Sequence, residues 1–176
     1  MTTESRTERL AARSFYDELI SLRDQQRIDR ETAEKLAKGS ELPWELNPQG
    51  YMKWYMAPTM TDIVMNVFVM YVQRIPPRSR SGKQLTQGHQ LGFIWKGGPG
   101  HTIVDEVRFD WNYRDLVQVP LRVPGCVVQH FNDSDEDVEI MFCSLNTAHA
   151  MSVDRGSGFD QIEPCPEWRE HLRKKG

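Results

Sequence analysis

One stretch of this chain concentrates residue types that can do chemistry. From Asp115 to Asn132 it reads DLVQVPLRVPGCVVQHFN. Val117 and Val119 alternate with Gln118, Pro120 stops the run, and Pro124-Gly125 makes a tight reversal. A second run passes through Val127 and Val128 and ends on Gln129, His130, Phe131 and Asn132. The pattern predicts a strand, a turn and a second strand that delivers one imidazole. His130 can then serve as an acid, a base or a metal ligand, or simply hydrogen-bond to a neighbour.

Other constellations are incomplete. No Ser-His-Asp order with a GxSxG elbow occurs. Gly97-Gly98-Pro99-Gly100 joins two predicted strands and opens no helix, so it is a turn and not a phosphate cradle. Residues 132–137, NDSDED, have the composition of a calcium loop without its glycine or its closing Glu. Residues 78–83, RSRSGK, form a basic turn, either simply solvated or a clamp for a carboxylate or a partner's acidic patch. Cys126, Cys143 and Cys165 make no CxxC pair and no zinc spacing. Cys126 and Cys143 read as small buried side chains in predicted strands, and the compartment expected is a reducing cytoplasm.

The elements that position this hairpin follow from composition and pattern. A length of 176 residues suits one domain with a terminal extension. Apolar residues at 39% supply a core and charged residues at 27% supply a solvated surface. The net charge of -3 argues against a nucleic-acid binder, which needs a basic excess. No apolar run is long enough to span a membrane, and MTTESRTERLAARS has no apolar segment of a secretory signal.

Residues 5–38 read as helix, with Leu10, Phe15, Leu19, Ile20 and Leu22 as an apolar stripe. Asp29 is expected to cap a second helix, and Gly39 to stop it. Residues 40–61 hold Trp44, Tyr51, Trp54 and Tyr55 among prolines, the composition of an ordered aromatic arm over a core, a lid or a swapped segment. From residue 62 the pattern becomes β. The run IVMNVFVMYVQRI is apolar enough to be buried on both faces or at an interface. Strands are expected at 84–96, 101–104, 107–111, 116–120, 126–131 and 138–144. Many short strands with regular turns and no helix between them predict a sandwich or barrel. The tail beyond Asn146 reads as a loop and one helical turn. The divisions expected are a helical extension and aromatic arm over 1–61, a barrel over 62–146, and a tail packing on it over 147–176.

The stretch from Pro76 to Asn146 resembles the barrel of the cupin superfamily. The matching parts are the Gly97–Gly100 turn, HTIVDEVRFDW as an edge hairpin, DLVQVP, and Pro-Gly followed by QHFN. Within that superfamily it looks most like small relatives of the gentisate-type ring-cleaving dioxygenases. The resemblance implies an all-β, cupin-like jelly-roll barrel and, in working members, Fe(II) held by inward imidazoles and a carboxylate. With Gly97 as the glycine that closes the first motif, its carboxylate position falls on Gln90 and its two histidine positions on Gln84 and Thr86. With Asn132 as the Asn of the second motif, its histidine falls on Val128. His130 matches a further histidine of the gentisate type, placed near substrate.

Three functions follow as expectations. The first is a non-catalytic or accessory subunit with no metal, in a homo-oligomer or a hetero-oligomer with a related cupin. The second is an active Fe(II) dioxygenase for an aromatic or small organic acid, with His130 catalytic. A bulge at Gly88 would there turn His89 inward, so that His130, His89 and Gln84 or Gln90 hold the metal. The third is a metal-free binding barrel whose pocket is formed by Gln84, Thr86, Gln90 and Val128 with His130, reading a polar ligand such as an aromatic acid.

Overall fold

The structure is a computed structural model that describes residues 5–63, 67–146 and 159–176. Its contacts divide the chain into two compact units. The first holds the helices α1 (Arg6–Ala11) and α2 (Phe15–Thr32) with a short bridge from Glu34 to Ile63. Ser5 caps α1 through a reciprocal pair, its hydroxyl accepting from Glu8 N and its own N–H donating to the Glu8 carboxylate. Ser14 caps α2 in the simpler way. Asp29, expected to start a second helix, lies inside α2 and accepts from Gln25 Nε2. The break falls earlier, at residues 12–14, because Ser14 competes for its own backbone and offers a cap. Of the expected apolar stripe, Phe15, Leu19 and Leu22 stay exposed. No helix among the described residues is long and apolar enough to cross a membrane.

The second unit is a jelly-roll barrel of two antiparallel sheets. One has six strands in the order β1-β2-β3-β10-β5-β8, and the other five in the order β11-β4-β9-β6-β7. In chain order the strands are β1 (Glu45–Asn47), β2 (Gly50–Met56), β3 (Phe68–Ile75), β4 (Lys83–Thr86), β5 (Gln90–Lys96) and β6 (Gly100–Val104). After them come β7 (Val107–Trp111), β8 (Leu116–Val119), β9 (Cys126–Asn132), β10 (Val138–Leu145) and β11 (Phe159–Glu163). The helix α3 (Pro166–Lys175) closes the chain. Strict alternation builds the core. On β9, Cys126, Val128, His130 and Asn132 are buried and the residues between them less so. On β10 the inward set is Val138, Ile140 and Phe142. Gly92 of β5 lies directly opposite Phe142. A Cβ there would stand 2.6 Å from the Phe142 ring, so glycine leaves the room that the phenyl group fills.

Three sequence expectations are corrected. Residues 40–61 do not lie over the barrel as an arm: β1 and β2 continue its larger sheet. Their aromatics pack from within it, Trp54 against Tyr71 at 5.0 Å and Trp44 beneath the Arg74 guanidinium at 4.1 Å. The tail is more than a loop and one turn. β11 pairs with β4, and α3 runs ten residues from a Cys165 cap whose sulfur accepts from Trp168 N. Finally, 84–96 is not one strand. Gln87, Gly88 and His89 break it, and its halves enter opposite sheets. Gly88 adopts φ +86°, and a side chain there would run into the Pro120 carbonyl. The apolar run expected from residue 62 yields β3 from Phe68 onward, while residues 64–66 lie outside those described.

Candidate functional site

Two polar regions lie inside the barrel, and the break at 87–89 separates them along the chain. The first is on the smaller sheet. Gln84 of β4 faces Val128 of β9, and Thr102 of β6 faces His130. Thr102 has no exposed surface and His130 only 2%. Trp111 Nε1 stands 3.0 Å from Thr102 Oγ1, which in turn is 2.8 Å from His130 Nδ1. The indole can only donate, so Thr102 accepts from it and has one proton to place. His130 Nδ1 is the acceptor within reach. The other ring nitrogen, Nε2, is buried without a partner beside the Phe142 ring. Burial holds His130 neutral, with its pKa pushed down to about 3. His101 alternates to the other side of β6. Its Nδ1 is 2.6 Å from Asp133 Oδ2, and its ring stacks on Phe131 at 4.5 Å.

The second region is a cavity of about 560 Å³ at the barrel mouth. Its apolar walls include Trp54, Met60, Val69, Leu145 and Phe159. Its polar lining includes Glu45, Tyr71, Gln87, His89 and Gln90, with Thr86 at the edge of β4. His89, at φ +47°, turns its ring so that Nε2 meets the Leu145 carbonyl at 2.9 Å. A carbonyl only accepts, so Nε2 donates and Nδ1 keeps a free lone pair. Gln90 Nε2 donates to the Tyr71 oxygen at 2.7 Å. Burial raises the Tyr71 pKa, which keeps the phenol protonated. Gln87 Oε1, Gln90 Oε1 and His89 Nδ1 are all buried with no protein partner. Glu45 accepts from Trp54 Nε1 and Asn47 Nδ2.

The expected residues are thus distributed. Gln84, Val128 and His130 belong to the inner wall, while Thr86, His89 and Gln90 line the mouth cavity. The rearranged metal set of His130, His89 and Gln84 is not gathered at that cavity, because His130 and Gln84 do not line it. Among the described residues no three His, Cys, Asp or Glu side chains come close enough to hold a metal. An Fe(II) site of the implied type needs several imidazoles and a carboxylate. The inner wall supplies one imidazole, together with a neutral amide and a valine. These residues do not fit that ion. In the basic turn, read as solvated or as a clamp, the Arg78 guanidinium pairs with Asp135 at 2.8 and 3.0 Å.

Tyr71 and Gln87 were missed by sequence reasoning, and Trp54 was read only as part of the aromatic segment. The one signal was Gly88, whose break turns Gln87 and His89 to the mouth.

Comparison with known proteins agrees with this architecture. No family model matches the chain, and no curated protein matches it. Among solved structures, the polyketide cyclase RemF from Streptomyces resistomycificus superposes with a TM-score of 0.56 at 7% identity, over 80% of this chain and 93% of that one. The plu4264 protein from Photorhabdus luminescens gives 0.51 at 14% identity, over 62% and 86%. A cupin-like protein from Thermotoga maritima gives 0.49 at 14% identity, over 74% and 90%. Identities this low speak to fold alone. The fold of this chain is a two-sheet jelly roll.

Proposed function

We propose that this chain is a cupin-fold barrel that binds a small, largely apolar organic molecule in its mouth cavity without a metal centre, and that it works as an oligomer. The observation that carries the reading is the cavity itself. Its volume of about 560 Å³ suits one ring-sized ligand. It pairs aromatic and aliphatic walls with a few buried polar atoms that lack partners. The ring-cleaving reading has no comparable support, because the donor set among the described residues does not suit Fe(II).

Protein purified without added metal should contain far less than one iron per chain, and a chelator should leave its melting temperature unchanged. A screen of small aromatic compounds should then raise that temperature. Ligand at about 100 times its Kd adds ~2.7 kcal/mol, which corresponds to several degrees for a domain of this size. Stoichiometric iron with aromatic turnover would reverse the assignment.

The oligomer is supported by the outward row on the larger sheet, where Leu91, Trp95 and Leu116 are exposed. Light scattering should give at least twice the chain mass; a monomer at micromolar concentration removes this part. A metal-bearing cupin that co-purifies would mark the chain as an accessory subunit.

A further inference from the structure

We infer that β7 is a self-complementary edge, along which the smaller sheets of two copies of this chain join antiparallel about a two-fold axis. This rests on the oligomeric reading above and names a surface for it, separate from the outward row on the larger sheet. β7 ends its sheet: it pairs with β6 on one side, and no described strand pairs with it on the other. Its register with β6 is unbroken, and Val107, Arg108, Phe109 and Asp110 are all exposed. Natural edges are blunted by proline, bulges, lysine or inward-pointing charge. β7 has none of these. Its two charged residues, Arg108 and Asp110, are opposite in sign and lie across from Ile103 and His101 on the outer face. Phe109 lies across from the buried Thr102, on the other face.

The hairpin fixes which backbone groups are free. Asp105 and Glu106, at φ +47° and +72°, form the two-residue turn between β6 and β7. The pair that closes such a turn, Val104 and Val107, exchanges hydrogen bonds, and alternation then directs those of Phe109 and Trp111 to β6. Arg108 and Asp110 therefore turn N–H and C=O away from the sheet. Three registers centre a second β7 on these groups. Arg108 against the partner's Arg108, or Asp110 against the partner's Asp110, sets like charges face to face. The third sets Arg108 against the partner's Asp110 on both sides of the axis. Each chain then gives up its own Arg108–Asp110 contact, 2.7 Å long, for the equivalent contact across the interface. In that register Phe109, 51% exposed, meets the partner's Phe109 as a pair without mutual hydrogen bonds, the kind whose side chains come closest.

Sedimentation of the full chain at micromolar concentration should show dimers or larger even-numbered assemblies. Arg108→Asp should weaken association about tenfold, because two attractive pairs become two repulsive ones. Asp110→Arg should do the same. The double variant carrying both changes should recover, since complementarity returns with the signs exchanged, and that recovery separates lost pairing from misfolding. Phe109→Cys sits on the axis, where opposing Cα atoms lie about 4.5 Å apart, and should form an interchain disulfide in air. Val107→Cys lies off the axis and should not, and the unsubstituted chain with its three free cysteines is the control. Assemblies that survive either single reversal, that the double variant does not restore, or that Phe109→Cys fails to cross-link overturn the β7 edge and leave the oligomeric reading standing. A monomer in the unsubstituted protein overturns both.

Discussion

Replacing Asn132 with Ala should cost about 2–4 kcal/mol, the largest loss expected of any single polar substitution in the barrel. Asn132 ends β9, and only 2% of it is exposed. Its Nδ2 donates to the carbonyls of Ile75 at 2.9 Å, Pro76 at 3.0 Å and Glu136 at 2.7 Å. Its Oδ1 accepts from Ser134 N at 2.9 Å and Ser134 Oγ at 2.7 Å. One side chain thus ties the end of β3, the end of β9 and the turn into β10. Alanine leaves carbonyl oxygens in a place that water cannot easily reach, and each costs a desolvation penalty. Asn132→Asp should be at least as damaging, because a carboxylate would then face those same oxygens. Ser134→Ala removes fewer bonds and should cost less. Urea unfolding reads all three, and a shift in midpoint without a change in slope isolates stability. A loss below about 1 kcal/mol for Asn132→Ala would show that the carbonyls find other donors.

The second large effect is acid sensitivity carried by His130. In the folded barrel its pKa is pushed down to about 3 by burial, whereas an unfolded histidine titrates near 6.5. Between those values the unfolded chain binds the proton and the folded chain does not. Stability contributed by the neutral imidazole is therefore complete above about pH 6.5 and falls as the pH drops toward 3, by ~1.4 kcal/mol per unit. At about pH 4.5 the loss should reach ~2–3 kcal/mol relative to pH 7. His130→Asn keeps an acceptor for the Thr102 hydroxyl but removes the titrating group. That variant should start less stable at neutral pH and lose less on acidification. Carboxylates titrate in both proteins, so the informative quantity is the difference between the two slopes. Equal slopes would show that His130 is protonated in the folded barrel.

These two residues illustrate how much was legible beforehand. The alternation VVQHFN is a period-two signal, and the barrel obeys it: Val128, His130 and Asn132 all point inward. Asn132 served as a landmark of a binding motif, yet its place in the structure is that of a clamp on three carbonyls. Nothing local to residues 126–132 names Ile75 or Pro76 as its partners. The same limit explains β1 and β2. Residues 45–56 carry prolines and aromatics just before them and no clean alternation, so strand character was invisible until β3 offered an edge to pair with. The strand expected over 84–96 failed for the opposite reason. Its pattern was continuous, but a glycine at φ +86° sends its two halves to different sheets.

Periodicity and turn chemistry were enough to predict an all-β sandwich or barrel, because strand alternation, Pro-Gly reversals and the Gly97–Gly100 turn act over a few residues at a time; the jelly roll was what the resemblance implied. The mouth cavity is different. Trp54, Tyr71 and the segment holding Gln87 and Gln90 are three separate stretches, and Thr86 and Phe159 join them from the other sheet only once the two sheets close on each other. Whether a buried lone pair has a partner, and which tautomer His130 adopts, depends on atoms supplied by distant strands. Local pattern cannot carry that information, so the chemistry of the pocket was decided by the tertiary fold.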